Sequence, residues 1–312
     1  MNPQNILSVR FLLGRSWEIY KTKFALLFGI LSAPLVVMVL SYLLSELLPP
    51  LSFVLLILAG LLGWASQLAM IYALKTPGVG VLEAYKLGLS KILSVIWIGI
   101  LIVGNLASAI ALPLILAFVA LSIKEAGMLE SSKTLFFTVS GAGILLAVLG
   151  VIFAIYLSIL FQFSTYSLII DDHKGVNALS ASTSLVKGRW FMVFVRILAM
   201  VVIFTIPVVI LDMFMQDQQG LFNLIQSAFG YIIAPFIVAY MYSLFVGMKE
   251  EKVVNVEENV NQRDWVVGRA AFGFATILAL LLFLIVVQKT TYFPGLKEKL
   301  GVMKAQSSIY TK

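Results

Sequence analysis

Cysteine is absent from this 312-residue chain, which excludes disulfides, thiol nucleophiles and cysteine-ligated metals. Histidine occurs once, at His173. Charge is scarce as well: Asp, Glu, Lys and Arg make up 12% of residues, where a soluble domain carries about a quarter. The longest polar segments are Lys249–Asp264 and the tail from Lys289, so no soluble stretch is long enough to bury a core of its own. The N-terminus is not a signal peptide. Arg10, Arg15, Lys21 and Lys23 are spread over a mixed segment, and no small-residue cleavage site follows a short apolar core. No catalytic, nucleotide or metal motif stands out, and no cofactor is expected.

What is present is apolar. Hydrophobic residues are 61% of the chain, the mean hydropathy is +1.03, and about 20 consecutive apolar residues suffice to cross a bilayer. The candidate spans are Phe24–Leu48, Leu51–Leu74, Ser94–Ile123, Thr134–Ile170, Phe191–Gln216, Leu221–Met248 and Val266–Val287. Each must be helical, because a lipid-exposed backbone has to satisfy its own hydrogen bonds. The fold class is therefore all-α, a polytopic transmembrane bundle of six or seven spans. Thr134–Ile170 would extend about 55 Å as one helix, against a hydrocarbon core of about 30 Å. It is expected either to project into the headgroups or to break near Gly141, Gly143 or Gly150.

The net charge of +7 comes from basic residues that flank apolar blocks, which points to anionic headgroups at the cytoplasmic face and not to nucleic acid. Placing the N-terminus inside puts Arg10, Arg15, Lys21, Lys23, Lys75, Lys86, Lys91, Lys174, Lys187, Arg189, Lys249, Lys252 and Arg263 in the cytoplasm. The outer loops Glu46–Pro50 and Asp217–Gly220 then hold no Lys or Arg, while Lys124 and Lys133 fall in the third. The basic tail falls outside if the seventh block spans; a re-entrant last block is the alternative. Arg269, near the start of that block, is expected to snorkel back to the headgroups. The organisation expected is a six-span membrane domain at 1–248 in the cell membrane, a polar cytoplasmic linker at 249–264, a seventh transmembrane helix at 265–288 and a basic, external tail at 289–312.

Three amphipathic segments lead into odd-numbered spans: Ser16–Phe24, Glu83–Lys91 and Ser182–Trp190. Apolar residues recur at helical spacing along Ile6, Val9, Leu13, Trp17 and Tyr20, then Leu82, Tyr85, Leu89 and Ile92, then Val176, Leu179, Val186 and Trp190. Such segments are expected to lie as elbow helices in the headgroup plane. Each following span carries an aliphatic–proline step, at Pro34, Pro113 and Pro207, that frees a carbonyl one turn back. The pattern predicts three parallel elbow–span–span repeats.

The sharpest local signal runs from Tyr166 to Trp190: an acidic-glycine turn at Asp171, Asp172 and Gly175, a helix with Ala178 and Ser182, then Leu185, Lys187, Gly188 and Trp190. This stretch resembles the membrane domain found with glycerophosphoryl diester phosphodiesterases and related polytopic membrane protein families. The resemblance is specific over about 25 residues and extends to about Met248. It implies a membrane location and an architecture. It does not imply the reaction, because the catalytic barrel of those diesterases is missing and one histidine cannot supply such a site.

Asp171, Asp172 and His173 are consecutive and point in different directions, with no second cluster to complete a metal site. They are expected to cap the elbow helix that follows. Lys187, Arg189, Trp190 and Arg196 are candidates for a lipid-headgroup or interface site. Arg196 is expected either to snorkel or to pair with Gln162 or Asn105. Asn105, Gln162 and Asn223 are candidate intramembrane polar groups that join helices. Segment 249–264 is a solvated linker open to a protein partner. Taken together, these features predict a non-enzymatic scaffold or auxiliary subunit in a lipid- or envelope-related process; the alternative is a transporter or lipid-translocating protein with a cavity between kinked helices.

Overall fold

The computed structural model describes residues 8–125, 133–215, 219–251 and 264–279, and among them every regular element is a helix. In chain order these are α1 (Val9–Leu43), α2 (Pro49–Lys75), α3 (Val81–Ser90), α4 (Ile92–Glu125), α5 (Lys133–Phe161), α6 (Ser164–Ile170), α7 (Val176–Val186), α8 (Trp190–Phe214) and α9 (Gln219–Glu251). A tenth, α10, covers 264–279. Six segments are long and apolar enough to cross a membrane: Val9–Leu43, Pro49–Lys75, Ile92–Ala111, Gly141–Ile170, Trp190–Phe214 and Ile225–Glu251. Helix α10 covers the first part of the expected seventh span. Residues 280–288, the tail 289–312 and linker residues 252–263 lie outside the described residues.

The chain divides into two compact units, Met1–Leu101 with Ser158–Val266, and Ile102–Leu157 with Val267–Lys312. In the first, α1 packs on α2 and α9, α2 on α3 and α6, and α6 on α7. Its core is aromatic where α6 meets α9: Phe163, Tyr166 and Phe245 are buried, with ring centroids 5.9–6.1 Å apart. The α1–α2 hairpin is closed by reciprocal bonds, Ser41 Oγ to the Ser52 carbonyl and Ser52 Oγ to the Ser41 carbonyl, each 2.8 Å. Pro49 and Pro50 then open α2, at positions where a missing N–H is harmless.

Pro34, Pro113, Pro207 and Pro235 fall inside helices, and at Pro34 a neighbour meets the carbonyl left without a helical partner. Pro34 cannot bond the Ile30 carbonyl one turn back. That oxygen instead accepts from Tyr85 Oη at 2.5 Å, and Tyr85 Oη also lies 2.6 Å from Ser66 Oγ. In α9, which holds Pro235, the Ile232 carbonyl three residues earlier accepts from Tyr20 Oη at 3.0 Å. In the second unit Pro113 frees the Ala109 carbonyl, and Gly150 lies against it so closely that a Cβ would come within 2.7 Å. Gly150 therefore serves close approach between α4 and α5 and does not break the helix.

Two expectations fail on this point of helix continuity. The first elbow, Ser16–Phe24, is not a separate helix, because α1 runs through it unbroken. Nothing in that stretch interrupts the ladder. Ser16 Oγ bonds back to the Leu12 carbonyl and Thr22 Oγ1 to that of Glu18, while Trp17, Tyr20, Phe24 and Phe28 stack successively along the helix. The expected break at Gly141, Gly143 or Gly150 is also absent; the helix is interrupted at Gln162–Phe163. There Ser182 of α7 stands in for the lost ladder, accepting from the Phe163 N–H at 3.1 Å and donating to the Leu160 carbonyl at 2.6 Å. The second elbow, Glu83–Lys91, falls on a separate short helix, α3. The third, Ser182–Trp190, covers only the last residues of α7, the turn after it and the first residue of α8.

Candidate functional site: the charged end of the first unit

Helix ends and turns of the first unit gather their charges in one belt. Lys23 of α1 donates to the last-turn carbonyls Ala73 and Leu74 of α2, and Lys75 donates to Ile169 at the end of α6 at 3.1 Å. A lysine ammonium is well placed there, because the final carbonyls of a helix lack helical partners and carry the negative end of its dipole. Four ion pairs continue the belt: Lys91–Asp172, Lys249–Asp171 at 2.5 Å, Arg189–Glu251 at 2.8 Å and Arg15–Glu250 at 3.4 Å.

The last turn of α9 is the hub. Consecutive helical residues project about 100° apart, so Lys249, Glu250 and Glu251 reach three different segments: the α6–α7 turn, α1 and the α7–α8 turn. These residues were expected to belong to the solvated linker; instead they complete α9 and tie it to its neighbours. Only pairings of residues 62 to 235 positions apart reveal this, and no local pattern carries that information.

The acidic-glycine turn also departs from expectation. Asp171 and Asp172 do not cap α7: its N-cap is Gly175, without a side-chain hydrogen bond. The carboxylates are engaged by lysines from other segments. The hydrogen-bonded Lys91 ammonium holds the Asp172 carboxyl below its ordinary value, and the same bond raises Lys91. Asp172 adopts φ 59° and Gly175 φ 53°, ψ −121°, the latter open only to glycine. A side chain at Gly175 would also meet the Trp97 indole, with Cβ 3.2 Å from Cδ1. His173 Nδ1 lies 3.0 Å from Ser167 Oγ, which ties the turn back to α6.

The candidate lipid-contact residues separate. Lys187 is exposed at the end of α7. Arg189 is engaged with Glu251. Trp190 is half-buried and stacks on Phe194, centroids 5.5 Å apart and planes within 3°. Arg196 turns back along its helix, donating to the Met192 carbonyl at 2.9 Å, while Tyr240 Oη donates to the Arg196 carbonyl at 3.1 Å.

The polar candidates Gln162 and Asn105 belong to different units. Gln162 is exposed at the helix break of the first unit. Asn105 is fully buried in the second, and the side chain of Asn223 lies outside the described residues. In the second unit Ser108 Oγ donates to the Asn105 carbonyl at 2.6 Å and accepts from Arg269 Nη2 at 2.8 Å. The Arg269 guanidinium lies 4.3 Å over the Phe153 ring. Arg269 thus binds a residue about 24 Å along α4 from its first turn, and it does not serve as a headgroup anchor at a helix end. Close packing fixes the crossing, since a Cβ at Gly104 would come within 3.0 Å of the Ala270 carbonyl.

Among the described residues, six segments long and apolar enough to cross a membrane define a multi-pass α-helical membrane protein. Comparison of the chain with protein-family models, curated proteins and solved structures gave no match.

Proposed function

We propose that the protein is a non-enzymatic scaffold or auxiliary subunit in a lipid- or envelope-related process of the cell membrane. The charged end and the N-terminus face the cytoplasm, and the tail beyond α10 lies outside. The observation that carries this proposal is how the polar side chains at depth are used. Ser66 with Tyr85 and Ser182 in the first unit, and Ser108 with Arg269 in the second, each join one helix to another. A transport path needs such groups gathered along one wettable route; dispersal into helix contacts is the pattern of a support. The exposed cations of the charged end, Lys21, Lys86, Lys174 and Lys187 among them, suit anionic headgroups.

One observation favours the alternative of lipid translocation. Arg269 sits among apolar helices, and charge at that depth is a frequent mark of a pathway.

Native mass spectrometry of the detergent-purified protein separates the two. A stoichiometric protein subunit with only exchangeable lipid is expected. A tightly held anionic lipid that is lost on Arg269→Gln sinks the scaffold and favours translocation. Orientation is read independently. With no native cysteine, a Ser45→Cys variant is expected to react with an impermeant maleimide on intact cells, and Lys187→Cys only after lysis. The reverse pattern inverts the topology.

A further inference from the structure

Helix α3 sets Ala84, Gly88 and the Tyr85 hydroxyl against the protein and turns Leu82 and Leu89 outward. Ala84 and Gly88 are buried against α2, where a Cβ on Gly88 would lie 3.0 Å from the Ala69 nitrogen and 3.1 Å from the Ala65 carbonyl. At position 88 the approach of the two backbones leaves no spare room for a side chain. On the opposite side Leu82 is 85% exposed and Leu89 47%, with Lys86 between them, and Leu93 at the start of α4 is 79% exposed. Residues 82, 86 and 89 follow the i, i+4, i+7 spacing of one helical stripe on α3, and exposed Leu93 follows just past the turn at Lys91. Further along α4 the stripe runs into exposed Ile96 and Trp97, on one of the six apolar segments.

We propose that α3 is an interfacial anchor whose Leu82–Leu89–Leu93 stripe is immersed at the headgroup–acyl boundary of the bilayer, with Lys86 reaching up to lipid phosphate. The occupant is lipid for two reasons. The stripe is continuous with the side wall of a spanning helix, so the same medium covers both. The lysine inside the leucine row can keep its stem in the apolar layer and its ammonium in the headgroups, whereas a protein groove matching the leucines would have to desolvate it. Helices of this kind sit about 5–10 Å into the boundary region. The proposal rests on the multi-pass architecture and is independent of whether the protein scaffolds or translocates.

The test uses single-cysteine variants Leu82→Cys, Leu89→Cys and, on the exposed side of α7, Asn177→Cys, each labelled with an environment-sensitive fluorophore in phosphatidylcholine–phosphatidylglycerol vesicles. Lipids carrying a nitroxide just below the headgroup are expected to quench positions 82 and 89 by about half, more than lipids with the nitroxide deep in the chain. Aqueous iodide is expected to quench position 177 and leave 82 and 89 unaffected. Iodide quenching at 82 and 89 places the stripe in water and overturns the proposal. Protection from both quenchers means that a protein surface or a second copy covers the stripe, which overturns it equally. An unchanged melting temperature shows that each labelled variant has kept the fold.

Discussion

Helices α3 and α7 have the same job in the sequence and opposite placements in the structure. Both are short, amphipathic, and set between the end of one spanning helix and the start of the next. In α3 Leu82 and Leu89 face outward and the protein is met by Ala84, Gly88 and the Tyr85 hydroxyl. In α7 the apolar stripe is consumed internally: Leu179, Val186 and Ala178 are fully buried, and Ser182 completes the interrupted ladder between α5 and α6. The difference teaches that amphipathicity gives a direction only relative to a partner. A small face and a large face can both be sticky, and the tighter steric fit decides which one meets the protein.

Equivalent leucines should break this symmetry most strongly. Leu179→Ala is expected to destabilise the protein by about 2–5 kcal/mol through lost burial and a residual cavity. Leu82→Ala should change stability by no more than about 0.5 kcal/mol, as read by thermal unfolding in one detergent. Equal effects would erase the distinction between the two helices. Next in size is Ser182→Ala, which strips the Phe163 N–H and the Leu160 carbonyl of their buried partner. The expected cost is about 1–3 kcal/mol, accompanied by faster amide exchange around 160–166. Tyr85→Phe is the corresponding test in α3. It removes the donor at the carbonyl freed by Pro34 while Ser66 Oγ remains 3.4 Å away, so about 1 kcal/mol is expected.

The smallest effect is a pH dependence. Asp172 has its carboxyl pKa lowered by the Lys91 hydrogen bond. A depressed acid contributes stability that is present above its unfolded pKa and is lost as pH falls through the folded one. The tie between the α6–α7 turn and the α3–α4 turn should therefore hold at neutral pH and loosen below about pH 4. Amide exchange of residues 171–175 should show this loosening, and Lys91→Gln should abolish the pH dependence of that segment. Persistence of the same profile in the variant would mean that another group controls the turn.

The helical class and the apolar segments could be read from composition and periodicity, and so could α3 and α7 as elements. Small residues at positions 84 and 88 opposite leucines at 82 and 89 were a signal that the protein lies on the small side. Weighing hydrophobicity alone passes over it. The break at Gln162–Phe163 has no glycine or proline of its own, because its stability resides in a serine twenty residues onward. The belt was illegible for a related reason: Asp171 and Asp172 have neighbours in sequence that suggest a cap, yet their lysines come from positions 249 and 91. Arg269 was misplaced because a charge near the start of an apolar block was read by its distance from the block's end, without knowledge of what Ser108 and Phe153 would present to it.

The hub at the end of α9 also fixes an order of events during synthesis. A chain emerges N-terminus first, so Arg15, Asp171 and Arg189 are in place long before the ribosome reaches Lys249, Glu250 and Glu251. Until then the buried side of α1, with Ser16 facing Ser243 and Tyr20 reaching Ile232, has no α9 to meet. The early helices must therefore wait in the bilayer as a half-finished assembly. A single late turn of helix then closes three joints at once, so a ribosome that stops short of residue 249 leaves all three open.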